Sequence, residues 1–152
     1  MKKPIAAVAL LFTTLLFAQD GTNVYPFLNI PVSARQAAIG GDAVSVRDYD
    51  VSFAGINPAL MNIDQDQMIS LNYANYLADS KFGTLSYVRD LEEGHLIGLN
   101  IRYMDYGRMP RTDESAQIDG EFGAMDATIG VNYAYQFDED FTIGGSANFV
   151  TS

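Results

Sequence analysis

Hydrophobic and polar residues alternate along the second half of the chain, from residue 69 onward. Five successive segments follow this period of two, which is typical of β-strands with two chemically different faces. In the clearest segment, the apolar positions are Ile97, Leu99, Ile101 and Tyr103, and the polar positions are Gly98, Asn100 and Arg102. The pattern predicts an all-β protein. Short connections favour antiparallel pairing.

The polar faces distinguish between two classes of β-protein. A soluble sandwich exposes charged side chains on its polar face, whereas these faces carry mostly Gly, Ser, Asn, Ala and Thr, which suit a crowded barrel interior. The apolar faces end in aromatic residues, as in the girdles of outer-membrane barrels. These residues are Tyr73, Tyr103, Tyr133, Tyr135, Phe137 and Phe141. We therefore predict an antiparallel transmembrane outer-membrane β-barrel.

The lengths of the connections predict the orientation of this barrel. Residues 90–94 and 138–140 are short, acidic links, whereas the link from 107 to 121 is long. Outer-membrane barrels have short periplasmic turns and longer outer loops, so the long link is predicted to face the outside. It carries Arg108, Arg111, Asp113 and Glu114. The carboxylates of this link are Asp113, Glu114, Asp119 and Glu121. Because the two arginines lie beside them, a salt-bridged loop is favoured over a weak Ca²⁺ site.

The number of strands predicts that the barrel is incomplete within this sequence. The smallest barrels use about eight strands, and an open edge in lipid leaves backbone groups unpaired. The sequence also stops within an apparent strand, at Thr151-Ser152. We expect residues 69–152 to be the first part of the barrel of a longer protein. A barrel shared between several copies of the chain is the alternative.

The N-terminus has the layout of a secretory signal peptide. Lys2 and Lys3 precede an uncharged run over 5–17 that is too short to span a bilayer as a helix, and Ala18 is the predicted cleavage position. Removal of residues 1–18 takes away two lysines and changes the formal net charge from −10 to −12. Such a charge opposes nucleic-acid binding. The chain has no cysteine for a disulfide or a lipid anchor.

Residues 19–68 are predicted to form a separate plug-like or periplasmic segment. Prolines interrupt this part of the chain, and it has no long period-two run. Ser33 can cap a helical turn over residues 34–39, and Gly40-Gly41 is a natural C-terminal stop. Paired glycines after a helix, without the lysine of a P-loop, do not make a phosphate-binding loop. We expect the segment to pack inside or beneath the barrel.

Several stretches of the mature sequence resemble one family of outer-membrane proteins. They are ARQAAIGGDAVSV at 34–46, NPAL at 57–60, GTNVYPFLNIP at 21–31 and YMDYGRMPRTDE at 103–114. The first two resemble the start of the PorV/PorQ family of the type IX secretion system of Bacteroidota, which is related to FadL-type transporters. The last two most resemble the PorQ branch. The likeness covers the mature chain but only the first half of such a protein.

The resemblance implies a FadL-like barrel in the outer membrane of a Gram-negative, Bacteroidota-type bacterium, with neither enzymatic activity nor a cofactor. Family members are structural components of the cell-surface attachment complex, with PorZ-, PorU- and PorV-like partners, outer-membrane lipid and lipopolysaccharide. By analogy, Arg108, Arg111, Asp113 and Glu114 are candidate partner-docking residues in the outer loop. The alternative is a FadL-like transporter of hydrophobic compounds.

Candidate chemistry within the chain is sparse. His95 is the only histidine, and no cysteine accompanies it, so a zinc site or a nucleophile-base pair is not expected. We predict no catalytic, cofactor-binding or metal-binding residue. Arg102 belongs to the inward set, and Asp126 on the neighbouring strand is its predicted ion-pair partner in the lumen. A small-molecule anion site at Arg102 is the alternative.

Overall fold

The chain folds around one five-stranded antiparallel sheet with strand order β1-β2-β3-β4-β5. The structure is a computed structural model that describes residues 24–41, 44–76, 79–112, 117–138 and 140–152. The strands are β1 (Ile69–Asn75), β2 (Lys81–Asp90), β3 (His95–Thr112), β4 (Ile118–Gln136) and β5 (Thr142–Thr151). The predicted all-β, antiparallel fold is confirmed. The predicted signal peptide lies outside the described residues.

A segment of short helices precedes the sheet, and we call residues 24–68 the N-terminal segment. It contains one α-helical turn, α1 (Ala34–Ala38), and 3-10 turns at Pro26–Asn29, Val51–Gly55, Pro58–Leu60 and Ile63–Gln65. The prediction of a helical and irregular segment before the strands is confirmed. Within the described ranges, no helix is both long and apolar enough to cross a membrane.

The ends of α1 follow directly from the local sequence. The Ser33 hydroxyl oxygen accepts a hydrogen bond from the backbone N–H of Gln36 at 3.2 Å, which caps the first turn. At the other end, Gly40 and Gly41 have φ values of +97° and +96°, and the Gly41 N–H donates to the Gln36 carbonyl at 3.0 Å. The predicted cap and the predicted glycine stop are both confirmed.

The strand register places most of the apolar residues of the five strands on one side of the sheet. Tyr73 lies opposite Gly83, which in turn lies opposite Tyr103. Ile101 lies opposite Ile129, and Ile129 lies opposite Phe149. A shift by one residue would move each set to the other side, so the alternating pattern specifies this register. We call this the outward face, and we call the opposite side the inward face.

The N-terminal segment packs on the inward face, and this contact forms the core. At the end of the sheet with the short turns, the core cluster joins Val51 and Met61 of the segment to Val88, Leu96 and Ala134. At the other end, Phe27 packs against Phe82 and Met104. The segment therefore runs along the inward face from one end of the strands to the other.

The predicted long link between the third and fourth strands is largely wrong. β3 continues to Thr112 and β4 begins at Ile118, and Arg108 is paired with Gly123. Residues 106–112 and 118–125 form a two-stranded ribbon that extends beyond β2, because the β2 pairing ends where Lys81 faces Asp105. Both sides of the ribbon are largely exposed, so its pairing needs no apolar alternation and leaves no period-two signal in the sequence.

Candidate functional site

The outward face is an extended apolar surface that no part of the described chain covers. Its exposed fractions include 77% for Leu71, 52% for Ile129 and 72% for Phe149. A soluble antiparallel sheet usually buries its apolar face and leaves the polar one in water. Here the covered face is the polar one. An exposed apolar surface of this extent marks an interaction with a membrane or with another protein.

Aromatic side chains cluster at the short-turn end of the sheet. The His95 ring lies 4.8 Å from the Tyr135 ring, Tyr135 lies 4.5 Å from Phe137, and Phe137 lies 5.4 Å from Phe141, all between centroids. The His95 Nδ1 is 2.6 Å from the Tyr133 hydroxyl oxygen. The partners of His95 are therefore aromatic rings and a phenol.

Arg102 is the main polar anchor of the N-terminal segment on the inward face. Its side chain is buried, and it donates from Nη1 to the Leu28 carbonyl and from Nη2 to the Gly55 carbonyl, each at 2.8 Å. One guanidinium thus holds two separate turns of the segment. Hydrogen bonds with a charged donor are stronger than neutral ones, so this contact orients the segment as well as stabilising it.

The predicted ion pair between Arg102 and Asp126 is not formed. Arg102 lies opposite Thr128, whereas Asp126 lies opposite Met104. The Asp126 carboxylate instead accepts a hydrogen bond from the Tyr106 hydroxyl at 2.6 Å. Both charged residues point inward as predicted. The Leu28 and Gly55 carbonyl oxygens lie nearer to the guanidinium than the Asp126 carboxylate does. The alternation along the strands does not predict these backbone partners, because they belong to another segment.

Three further polar contacts join the segment to β2. The Thr84 hydroxyl donates to the Val32 carbonyl at 2.8 Å. The Asp66 carboxylate accepts from the backbone N–H of Asp90 at 2.8 Å and lies 3.4 Å from the Arg89 guanidinium. The side-chain hydrogen bond from Gln67, followed by the backbone hydrogen bond from Asp90, lowers the pKa of Asp66. These contacts tie both ends of the segment to β2.

The Asn-Pro-Ala stretch lies directly on the backbone of β5. A Cβ atom added at Gly144 would lie 2.6 Å from the carbonyl carbon of Pro58 and 2.6 Å from the amide nitrogen of Ala59. The Asn57 side chain caps this turn by accepting from the Ala59 N–H at 3.1 Å. Gly144 is therefore required by the close approach of another backbone.

Two cavities border the N-terminal segment. One of about 490 Å³ lies between the segment and β1, and its lining includes Val32, Ala34, Leu71, Tyr73 and Phe82. The other, of about 220 Å³, lies beside Arg102 and is lined by Leu28, Gly55, Ile56, Arg102, Thr128 and Asn148. The first is mainly apolar, and the second combines a buried cation with a hydroxyl and an amide.

Two of the four candidate docking residues, Arg108 and Arg111, lie on the ribbon. Arg108 and Arg111 both lie in β3, and the Arg108 guanidinium is 3.3 Å from the Glu121 carboxylate with both side chains largely exposed. An exposed pair of this kind contributes little to stability. Asp113 and Glu114 lie outside the described residues. The arginines are accordingly available at the surface of the ribbon.

Among the described residues, no three or more His, Cys, Asp or Glu side chains are grouped so that they could hold a metal ion.

Sequence reasoning missed the apolar contacts that hold the N-terminal segment. Their signal was present, since Phe82, Val88, Leu96 and Met104 occupy inward positions that would otherwise be polar.

Comparison of the chain with family models, curated proteins and solved structures gave no match. The family resemblance noted in the sequence therefore stays a prediction.

Proposed function

We propose that this chain is part of an outer-membrane β-barrel. In this proposal the barrel acts as a structural, docking component of the type IX secretion attachment complex and carries out no catalysis. The observation that carries the membrane part is the inverted sheet, which has an exposed apolar outward face and a covered inward face. Lipid is the medium in which such a face is stable without a protein partner, provided that a closed barrel satisfies the strand edges. Further strands would pair with β1 and β5.

The spacing of the aromatic residues supports the membrane assignment. His95 and Tyr103 lie eight residues apart on β3, with Tyr135 beside the first and Tyr73 in the same row as the second. Eight residues span about 27 Å of strand, and a tilt of about 40° reduces this to about 21 Å along the membrane normal. Outer-membrane barrels have aromatic girdles on either side of an apolar band about 25 Å tall.

The docking part of the proposal rests on the ribbon and on the family resemblance. The ribbon extends beyond the neighbouring strand and presents Arg108 and Arg111 at its surface. In the proposed orientation it lies on the extracellular side, where PorZ-, PorU- and PorV-like proteins would be reached. Charged residues on an exposed, protruding element are suited to steering and orienting a partner.

Affinity purification from native membranes tests the docking role. The full-length protein should bring with it a sortase-like protein and a surface protein. The double variant Arg108→Glu/Arg111→Glu should reduce this recovery, whereas Glu92→Gln/Glu93→Gln in the turn at the opposite end of the sheet should not. Deletion of the gene should leave cargo translocated but poorly retained on the surface. Normal cargo retention in the deletion strain would exclude the attachment role.

One observation favours the alternative, a FadL-like transporter of hydrophobic compounds. The cavity of about 490 Å³ beside β1 is mainly apolar, as expected of a site for a hydrophobic ligand. The polar inward face argues against a continuous apolar path through the strands. Protein-dependent uptake of long-chain fatty acids, reduced by Ala37→Trp in the cavity wall, would favour transport over docking.

A further inference from the structure

The cavity beside Arg102 has features of a ligand site that neither the docking role nor the transport role requires. Arg102 is 8% exposed and Thr128 is 2% exposed, so both side chains are more than nine-tenths buried. Both line the same cavity of about 220 Å³, together with Asn148. We propose that this cavity binds a small anion carrying a phosphate-type or carboxylate group.

The hydrogen-bond donors around the cavity are only partly used. A guanidinium has five N–H donors, and two hydrogen bonds from Arg102 go to the carbonyl oxygens of Leu28 and Gly55. The Thr128 hydroxyl oxygen is buried without a hydrogen-bond partner among the described residues. A bound oxyanion supplies acceptors for the remaining guanidinium donors, for the threonine hydroxyl and for the Asn148 amide.

The charge at this position leads to the same conclusion. Carbonyl oxygens are neutral, so the two bonds to the N-terminal segment orient the Arg102 guanidinium without neutralising it. A buried cation normally has an anionic partner. Within the described residues, the ion pairs involve Arg35, Arg89 and Arg108, and none involves Arg102. An anion in the adjacent cavity compensates the charge directly.

Asp126 is a competing negative charge on the same face. It lies two residues from Thr128 on β4, and its carboxylate accepts from the Tyr106 hydroxyl at 2.6 Å. Its negative charge reduces the affinity of the cavity for an anion without occupying the guanidinium. Neutralising Asp126 is therefore expected to strengthen anion binding.

The cavity beside Arg102 has room for a small ligand. A volume of about 220 Å³ corresponds to about seven water molecules at their share of liquid volume, which is about 30 Å³ each. Inorganic phosphate or a short carboxylate fits this space.

Isothermal titration calorimetry on the full-length protein in detergent micelles tests the proposal. Inorganic phosphate and acetate are titrated separately at constant ionic strength in chloride buffer. Wild-type protein is expected to bind at least one of them with one-site stoichiometry. Binding of phosphate alone would identify a phosphate-type ligand, and binding of acetate would identify a carboxylate ligand.

Three variants distinguish a site at Arg102 from adsorption elsewhere. Thr128→Val removes the hydroxyl at nearly constant shape and should weaken binding about tenfold, whereas Thr128→Ser should bind like the wild type. Asp126→Asn should bind several-fold more tightly. Circular dichroism and tryptic digestion establish that each variant is folded.

Absence of binding to the wild type at millimolar phosphate and acetate would overturn the proposal. Equal binding by wild type and Thr128→Val would do the same, since the anion would then be adventitious. Unchanged affinity in a folded Asp126→Asn variant would place the binding site away from this cavity.

Discussion

The outward and inward faces belong to the same five strands but are covered in opposite ways. The outward face carries Leu71, Ile129 and Phe149 and is exposed, whereas the inward face carries Asn100, Arg102 and Asn132 and is buried under the N-terminal segment. Alternation alone therefore does not tell which face of a sheet is the core. The chemical character of both faces, together with what the rest of the chain can cover, decides it.

The largest expected effect comes from placing a charge on the outward face. Ile129 lies in the middle of β4, paired with Ile101 and Phe149. If this face contacts lipid, Ile129→Arg should destabilise the membrane-inserted protein by about 2–4 kcal/mol. Urea unfolding in lipid vesicles measures the change.

Phe122→Arg on the projecting ribbon is the matched control, with an expected effect of about 0–1 kcal/mol, as near the membrane interface. A soluble, equally stable Ile129→Arg protein would show that the outward face does not contact lipid.

The second-largest effect is expected from breaking the contact between the inward face and the N-terminal segment. Gly144→Val places a side chain against the backbone of Pro58 and Ala59. Displacement of this turn should destabilise the protein by about 3 kcal/mol and make residues 24–68 sensitive to protease. Denaturant unfolding and limited proteolysis measure both effects.

The neighbouring glycine provides a close control for this variant. A Cβ atom at Gly145 would meet nothing within 4 Å. Gly145→Val is therefore expected to leave the protease sensitivity of the segment unchanged. Equal behaviour of the two valine variants would contradict the close packing at Gly144.

A smaller effect is expected from the glycine stop after α1. Gly41 has φ of +96° and open space around it, so Gly41→Val introduces backbone strain without a clash. The expected destabilisation is about 1–2 kcal/mol, measured by denaturant unfolding. Gly41→Asn should be milder, because asparagine tolerates positive φ better. A fully stable Gly41→Val protein would show that α1 does not depend on this stop.

The smallest expected effect is on the pH dependence of folding stability at Asp66. Because the pKa of Asp66 is lower in the folded protein, its carboxylate stabilises the folded state fully above the unfolded-state pKa. This contribution is lost as the pH falls through the lower, folded-state pKa. The difference in stability between wild type and Asp66→Asn, measured from pH 6 to pH 2, should therefore shrink on acidification. A difference that grows on acidification would contradict the lowered pKa.

The parts of the fold that were predictable from sequence are those with local causes. The strand faces around Ile97, the Ser33 cap and the Gly40-Gly41 stop each depend on side-chain periodicity or backbone preference over a few residues. The ribbon was not predictable in this way, because both of its sides are largely exposed and cross-strand pairing by itself imposes no pattern on residue type.

The candidate site shows the same division. Arg102 and Asp126 were correctly placed on the inward face, because that depends only on their positions in the alternation. Their partners were not predictable, because the Leu28 and Gly55 carbonyls are backbone groups that any residue carries. Likewise, the close approach of Pro58 and Ala59 to Gly144 joins positions far apart in the sequence.

By itself, the sequence determined that five alternating strands follow a short helical segment and that one strand face is mostly apolar. Strand periodicity and helix capping are short-range effects that the residues themselves encode. Only the tertiary structure decided that the N-terminal segment lies across the polar face, anchored by Arg102 and seated on Gly144. That arrangement depends on which backbone groups meet in three dimensions, and no local pattern records it.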